Sequence, residues 1–287
     1  KLKTDQSFIA KERNALIAIY NSLGGDGWVD NENWCTDKHV SDWANVYTDE
    51  EGHVVMISIV MNNVTGFIPK EIGDLEYMEN LTINYADITA PLPKEIGKLK
   101  HLRYLQLVDS GVPGQLPDEI GEMRSLLRID VSNNRLEGEI PKGIGNLRDL
   151  QRLDLRSNMM TGSIPSELSK CVSLEMMALN DNHLSGEIPS SINMPSLKVF
   201  SCFNNRLSGN IPSSVTSNEK MWRACWAYII NGNDFNLNDI SIPGPSFTVE
   251  DIDGNIISTK QLYDNNDYTL FIDWSQHYSV TDAHFET

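Results

Sequence analysis

Three arginines, Arg128, Arg152 and Arg156, are the residues best suited to bind a ligand in this sequence. They belong to an acidic chain with 40 aspartates and glutamates against 23 lysines and arginines, a net charge of −17. The guanidinium group forms paired hydrogen bonds with anionic groups, and arginine and aromatic residues contribute much of the energy at binding hot spots. These arginines therefore predict a binding surface that anchors a ligand.

Catalysis, metal binding and cofactor binding find little support in the sequence. His183 follows Asp181 closely, but no serine or cysteine nucleophile with an ordered base can be named around this histidine. The acidic runs 26–32 and 250–255 lack the ligand spacing of a calcium-binding loop. The four cysteines match neither a zinc site nor a disulfide framework: Cys35, Cys171, Cys202 and Cys225. We expect a protein that is not an enzyme, with no metal and no cofactor.

The arginines lie within a phrase that recurs seven times at a step of about 24 residues. Each copy contains two apolar residues separated by one position. The pairs are Ile57/Ile59, Leu81/Ile83, Leu105/Leu107, Ile129/Val131, Leu153/Leu155, Met177/Leu179 and Phe200/Cys202. A single repeat cannot bury its own apolar edge, so the copies must stack as a solenoid. The alternation predicts short strands that pair across repeats in a parallel inner sheet.

The solvent-facing positions of this inner sheet form the predicted binding surface, because they lie on a rigid support. The candidate ligand-binding residues are Tyr85, Tyr104, Arg128, Asp130, Arg152, Asp154, Arg156, Met176, Asn180 and Phe203. A simpler interpretation gives the charged residues a structural role only. In that interpretation, Arg128 and Arg152 pair with Asp130 and Asp154 across adjacent strands as an ordinary cross-strand ladder.

Each repeat also carries polar and turn residues after the strand. An asparagine at 62, 134, 158, 182 and 205 is placed to satisfy backbone groups where the chain leaves the sheet. A glycine and then a proline follow, which suit a tight turn and a second extended segment. Ala86 and Ser110 replace the asparagine, and Ala90 replaces one glycine. We expect the asparagine ladder to break at these repeats, with local distortion.

The phrase L-x-x-L-x-L-x-x-N-x-L-x-G-x-I-P-x-x-I-G-x-L resembles the plant-type leucine-rich repeat of plant receptor ectodomains and polygalacturonase inhibitors, also carried by bacterial surface proteins. The fourth repeat, from Leu126 to Leu150, matches at nearly every position. The resemblance implies an α/β solenoid, a right-handed superhelix of seven repeats with a concave inner sheet. It further implies a non-enzymatic, exported protein that binds a protein or a glycan on the concave face. A bacterial surface or periplasmic setting, with a possible lipid anchor, fits the two ends best.

The segments at the two ends differ from the repeats. Residues 1–52 predict a cap, with an amphipathic helix from Phe8 to Leu23 and a tryptophan-rich loop that resembles the cap of bacterial repeat proteins. Plant caps usually hold a cysteine pair, whereas Cys35 is alone here. Residues 53–215 form the predicted solenoid. Residues 216–244 form a second cap and a linker, in which the segment 217–230 is amphipathic and shields the last strand.

Residues 245–287 form a small β-rich tail with a different pattern. Asp253-Gly254 between apolar segments predicts a hairpin. From Phe247 to Trp274 the tail resembles the start of a thioredoxin-like domain, but no Cys-x-x-Cys motif follows the tryptophan. We expect the natural chain to continue past Thr287. This resemblance leaves a second hypothesis open, in which the solenoid is the recognition module of a larger, enzyme-linked chain. A purely structural spacer is a third.

The charge and hydropathy of the chain exclude two kinds of partner. A net charge of −17 repels nucleic acid and anionic membrane surfaces. The longest apolar stretch, residues 54–61, is far shorter than the ~20 residues of a membrane-spanning helix. The sequence therefore predicts a macromolecular ligand other than nucleic acid and no membrane-spanning segment, and it leaves the oligomeric state open.

Overall fold

The computed structural model describes residues 6–238 and 240, together with the backbone of residues 249–250 and 256–257. The chain divides into two compact units, Lys1–Ile240 and Ser241–Thr287. The first unit contains the repeats. Its helices are α1 Gln6–Ser22, α2 Ser213–Thr216 and α3 Glu219–Ile230.

Most strands of the first unit belong to two series, an inner sheet and shorter outer pairs. In chain order they are β1 Val46–Thr48, β2 Val54–Val60, β3 Thr65–Gly66, β4 Asn80–Asn84, β5 Asp87–Ile88, β6 Tyr104–Gln106, β7 Pro113–Gly114, β8 Arg128–Asp130, β9 Arg135–Leu136, β10 Arg152–Asp154, β11 Met176–Ala178, β12 Ser185–Gly186, β13 Val199–Ser201, β14 Arg206–Asn210, β15 Asp234–Asn236, β16 Val249–Glu250 and β17 Ile256–Ile257.

The inner sheet has the order β1-β2-β4-β6-β8-β10-β11-β13. From β2 onward every pair is parallel, and equivalent residues of successive repeats stand opposite one another. Arg128, for example, stands opposite Tyr104 on one side and Arg152 on the other. The predicted parallel sheet and its seven repeat strands are confirmed.

The opposite side of each repeat carries shorter elements. Parallel outer pairs form between β3 and β5, between β7 and β9, and through β12, β14 and β15. Five repeats then form a one-turn 3₁₀ helix directly after the proline of the repeat phrase. These helices are Lys70–Asp74, Lys94–Lys98, Asp118–Glu122, Lys142–Asn146 and Ser166–Lys170.

The core lies between these two sides and is made of the repeated apolar positions. In the fifth repeat, Leu150, Leu153 and Leu155 are completely buried, and Met160 and Ile164 close the turn from the other side. Burying one such side chain stabilises the fold by about 1.5–3 kcal/mol. Because every repeat contributes the same set, the core is continuous along the described solenoid.

The repeated asparagines form a ladder of hydrogen bonds that joins neighbouring repeats. The side chain of Asn158 donates to the carbonyl oxygens of Val131 and Leu155, each at 3.0 Å, and accepts from the backbone nitrogen of Leu136, also at 3.0 Å. Asn134, Asn182 and Asn205 make equivalent bonds. A buried amide thus satisfies backbone groups in two repeats that would otherwise be unpaired.

The predicted break in the ladder is present at Ala86, whereas the turn out of the sheet keeps its backbone at both Ala86 and Ser110. The residue before the asparagine position has a left-handed backbone in every repeat, and Tyr85 (φ 57°) and Asp109 (φ 51°) share it. The hydroxyl of Ser110 also donates to the carbonyl of Ile83 at 2.8 Å, the bond that Asn134 makes one repeat later to Leu107. The serine therefore keeps part of the ladder, and only Ala86 lacks a polar side chain there.

The N-terminal cap contains the predicted helix and a cluster of aromatic rings. Helix α1 ends at Ser22, and Gly24 follows with a left-handed backbone (φ 67°), as expected of a C-terminal stop. The rings of Tyr20, Trp28 and Trp34 pack with centroids 5.1–5.7 Å apart. The cap joins the first repeat closely, since a Cβ at Gly66 would collide with the carbonyl oxygen of Ser22.

Two features of this end were not anticipated. Strand β1 pairs antiparallel with β2, so the inner sheet extends into the cap. The signal was present, because Val46-Tyr47-Thr48 is β-prone and a turn containing Gly52 follows. Asn62 also differs from the other asparagines, because its amide exchanges bonds of 2.7 and 2.9 Å with the backbone of Asp30 in the cap.

Helix α3 lies where the sequence predicts the C-terminal cap, and it buries Met221, Trp222 and Ile229 next to the last repeat. The repeat pattern nevertheless continues further than the sequence indicated. The carbonyl of Tyr228 accepts from the backbone nitrogens of Cys202 and Phe203, both at 2.9 Å. After the helix, the side chain of Asn233 makes the ladder bonds again, and β15 extends the outer side. The end of helix α3 thus takes the place of the inner strand of an eighth repeat.

In the second unit, β16 and β17 pair antiparallel, with Val249 opposite Ile257. This pairing confirms the hairpin predicted around Asp253-Gly254, although those two residues lie outside the described part. The linker at 242–245 and the thioredoxin-like resemblance also fall on residues outside the described part.

The asparagine ladder gives a direct stability test. We expect Asn158→Ala to lower the free energy of unfolding by about 2–4 kcal/mol, because buried backbone groups lose their partners. Urea unfolding followed by circular dichroism would measure the loss. Asn146→Ala, which removes an exposed asparagine, is the matched control and should change stability by less than about 0.5 kcal/mol. Equal effects of the two substitutions would contradict the role of the ladder.

Candidate functional site

The candidate site is a row of side chains across the middle of the inner sheet. Tyr104, Arg128, Arg152 and Met176 stand in register on four successive strands, β6, β8, β10 and β11. Adjacent strands lie about 4.8 Å apart, so these side chains are immediate neighbours. Arg156 follows β10 and adds a third guanidinium. We call Arg128, Arg152 and Arg156 the arginine cluster.

Two buried carboxylates hold the arginine cluster in place. Arg128 donates through Nη2 to Asp130 Oδ2 at 2.8 Å. On the next strand, Arg152 Nη2 lies 3.3 Å from Asp154 Oδ2, and Arg156 Nε lies 3.5 Å from Asp154 Oδ1. The predicted partners are therefore correct, but the predicted geometry is wrong. Each of these ion pairs lies within one repeat and none crosses between adjacent strands, because the register sets arginine beside arginine and aspartate beside aspartate.

The prediction that Asp130 and Asp154 offer their carboxylates to a ligand is also wrong. Asp154 has no exposed surface and Asp130 is 4% exposed, because neighbouring side chains cover them. Their role is to position the arginines. Burial raises the pKa of Asp154, the neighbouring Asp130 raises it further, and Arg156 opposes the shift. For Asp130, burial also pushes the pKa upward, but Arg128 and Ser132 outweigh it and the pKa is lowered.

The role of Ser132 was not predicted from the sequence. This serine is completely buried, and its hydroxyl donates to Asp130 Oδ1 at 2.7 Å. Together with Arg128, it gives both oxygens of the carboxylate a partner. The equivalent position in the next repeat is Arg156, so the two carboxylates differ in their support. Asp130, Asp154 and Ser132 are buried because neighbouring repeats cover them.

The arginines themselves remain available to a ligand. The side chains of Arg128, Arg152 and Arg156 are 34%, 35% and 44% exposed. A guanidinium has five N–H donors, and each ion pair here engages only part of that set. Three cations above two carboxylates leave a net positive charge of one on a strongly acidic protein. The cluster therefore presents three partly exposed guanidinium groups, positioned by buried carboxylates, to the solvent.

The other predicted site residues divide into two groups. Tyr104 and Met176 flank the cluster as described. Asn180 is buried, and its amide is used internally, donating to Asp181 and accepting from Ser201. Phe203 lies at the far end of the sheet near Tyr228, with ring centroids 6.1 Å apart. Tyr85 is exposed two strands before Arg128, so the predicted grouping of Tyr85 and Phe203 with the arginines is not formed.

The three buried cysteines are poorly suited to act as nucleophiles. Burial raises the pKa of the Cys171 thiol to about 11, and it raises the pKa of Cys202 and Cys225 as well. All four cysteines are free thiols, and only Cys35 is exposed. In the described ranges no group of histidines, cysteines or acidic residues is arranged to hold a metal ion. None of the described helices is long and apolar enough to cross a membrane.

Comparison with known proteins supports the architecture. Residues 92–202 match the model of a leucine-rich repeat region. No protein with a curated functional description matches the chain in sequence. Among solved structures, a plant ice-binding protein is similar with a TM-score of 0.70 and 26% identity, over 79% of this chain and 72% of that chain. The fold is that of a leucine-rich repeat solenoid.

Two plant receptor structures are also similar. One is the leucine-rich repeat ectodomain of the membrane receptor kinase GASSHO1/SCHENGEN3 from Arabidopsis thaliana with CASPARIAN STRIP INTEGRITY FACTOR 2 (TM-score 0.67, 27% identity, 77% of this chain and 26% of that chain). The other is the plant peptide hormone receptor RGFR1 with RGF2 (TM-score 0.55, 31% identity, 60% and 27%). The chain spans about a quarter of the length of each receptor structure.

The buried Asp130 gives the stability a defined pH dependence. Its folded pKa is lowered, so its contribution is complete above the unfolded value of about 3.9 and is lost as the pH falls through the folded value. We expect Asp130→Asn to cost about 1–3 kcal/mol near neutral pH, because an ion pair is broken. Urea midpoints of the two proteins should converge as the solution becomes more acidic.

The matched control is Asp118→Asn, which changes an exposed carboxylate on the other side of the repeat. It should change the free energy of unfolding by less than about 0.5 kcal/mol at every pH. A difference between Asp130→Asn and the wild type that stays constant with pH would contradict the ion pair.

Proposed function

We propose that this protein is a non-enzymatic recognition module that binds an acidic peptide segment on its inner sheet. The observation that carries the proposal is the arginine cluster, held above buried Asp130 and Asp154 in the middle of that sheet. Arginines fixed in this way lose little conformational freedom on binding, which favours affinity. A ligand with carboxylates or other anionic groups complements them.

Two of the similar structures support a peptide as the ligand. Both are described as receptors in complex with a named ligand, and one is called a peptide hormone receptor. A neutral glycan would not use the positive charge of the cluster, so we favour the peptide over the predicted glycan. Both similar structures are receptors, one of them explicitly an ectodomain, and we propose that this protein also acts outside the cell or at its surface. The bacterial setting, the anchor and the enzyme-linked alternative remain predictions from sequence.

The similarity to a plant ice-binding protein is one of fold, and one fold hosts many unrelated functions. The arginine cluster favours a ligand with negative charge, which ice lacks. We therefore do not extend ice binding to this chain.

Selection of random short peptides on the immobilised protein would test the proposal. We expect the enriched peptides to carry acidic residues and to bind more weakly as salt is added, because exposed ion pairs are screened. Arg156→Gln should weaken the best enriched peptide about tenfold or more, since a hydrogen bond between charged groups contributes about 1.5–3 kcal/mol. Isothermal titration calorimetry would measure the change.

The matched control is Arg148→Gln, which removes an exposed arginine outside the inner sheet and should leave the affinity unchanged. Neutral substitutions are used because a carboxylate at position 156 would repel buried Asp154. Peptides without acidic enrichment, or equal losses in Arg156→Gln and Arg148→Gln, would contradict the proposal.

A further inference from the structure

Large apolar side chains are exposed in one part of the protein more than elsewhere. Eleven such residues are exposed in the described part of the chain, and five of them lie in the cap or on the inner side of the first two repeats. Their exposed fractions are 72% for Val29, 51% for Tyr47, 46% for Val60, 66% for Met61 and 47% for Tyr85. We call these five residues the apolar end. Contiguous exposed apolar surface is uncommon on soluble proteins and marks interaction sites.

Tyr47 lies near the start of β2, whereas the other four residues lie near the ends of β2 and β4. Tyr47 stands opposite Met56 across the β1–β2 pair, which puts both side chains on the solvent face of the sheet. Val60 ends strand β2 on that same face. Met61 and Tyr85 occupy equivalent positions in successive repeats, joined by the bond from the Met61 nitrogen to the carbonyl of Asn84 at 3.2 Å.

Val29 extends the apolar end onto the cap. Its backbone nitrogen donates to the carbonyl of Asn62 at 3.3 Å, so it lies beside the residue that follows Met61. The patch therefore crosses from the cap loop to the first two repeats, on the same sheet that carries the arginine cluster.

The distance between the apolar end and the arginine cluster follows from the sheet. Tyr85 follows β4 and Arg156 follows β10 at nearly equivalent positions of their repeats, and three strand steps separate β4 from β10. At about 4.8 Å per step, the separation across the sheet is roughly 14 Å. An extended peptide advances about 3.3 Å per residue, so about four residues span this distance. One short segment is long enough to reach both places.

We propose that the apolar end is a second subsite for the same ligand. The ligand is an extended peptide segment that places one or two large apolar side chains over Met61 and Tyr85 and an acidic group over the arginine cluster, about four residues away. This inference rests on the proposed function. It defines the ligand further, because neither an acidic peptide nor an apolar peptide alone complements both ends of the surface.

The charge of the protein supports a peptide over other occupants of the apolar end. A second copy of this chain would bring a net charge of −17 against the same charge, which opposes association. An anionic membrane is repelled for the same reason. A short peptide whose negative charge meets the arginine cluster avoids this repulsion.

The double substitution Met61→Asn and Tyr85→Asn tests the second subsite. Both side chains are exposed, and asparagine tolerates the left-handed backbone at these positions, so folding should be preserved. Met159→Asn with Val172→Asn is the matched control, because it removes two exposed apolar residues away from the apolar end. Circular dichroism would verify the fold of each variant before random peptides are selected on it.

On the wild type, we expect enriched peptides with large apolar residues about four positions from an acidic residue. The double variant should keep the acidic preference, lose the apolar preference, and bind the best wild-type peptide at least tenfold more weakly. The control variant should match the wild type. Acidic enrichment without apolar enrichment would overturn the second subsite while leaving the proposed function intact, and loss of acidic enrichment would overturn both.

Sedimentation of the wild type at increasing concentration gives an independent outcome. We expect a single species whose mass does not depend on concentration. A dimer that dissociates in the Met61→Asn and Tyr85→Asn variant would identify the apolar end as a contact between copies of the chain, and it would overturn the peptide subsite.

Discussion

The structure depends on how the chain turns out of the inner sheet once in every repeat. At that turn one residue adopts a left-handed backbone, with φ between 51° and 57° from Met61 to Asn204, and the next side chain must satisfy the backbone groups released by the turn. In most repeats an asparagine does so by bonding to its own repeat and to the preceding one. Because this bond joins repeats, it fixes the alignment of the strands and therefore the rows of side chains on the sheet.

The candidate site is a direct product of that alignment. An in-register parallel sheet sets each residue beside its equivalent, so Arg128 faces Arg152 and Asp130 faces Asp154. At this site, opposite charges meet along the chain, two positions apart. The aspartates lie below and the arginines above, where they keep contact with solvent. Buried carboxylates are expensive to ionise, and the opposite pKa shifts of Asp130 and Asp154 show how much their different partners matter.

The sequence was sufficient for the parts of the structure that repeat. The period of two within a strand and the step of about 24 residues placed Tyr104, Arg128 and Met176 in one row, because both periods act through the backbone. The burial of Asp154 was out of reach, since it depends on side chains from adjacent repeats. The direction of the ion pairs was in principle deducible from the parallel register. Strand β1 and Asn233 were missed because both lie outside the repeated phrase. Strand β1 forms a hairpin with β2, and Asn233 follows helix α3.

The joint between the first two repeats is built differently from the others. Ala86 brings no amide to it, but β2 and β4 pair over five residues in register, from Met56 opposite Asn80 to Val60 opposite Asn84, whereas later inner strands pair over three. Main-chain hydrogen bonds between β2 and β4 thus join these two repeats in place of an asparagine side chain. Sequence drift acts on side chains and leaves main-chain pairing largely intact. The tolerance of the solenoid to mutation is therefore uneven. Substituting one of the later asparagines removes the side chain that joins two repeats, whereas no single substitution removes the main-chain bonds that join the repeats around residue 86.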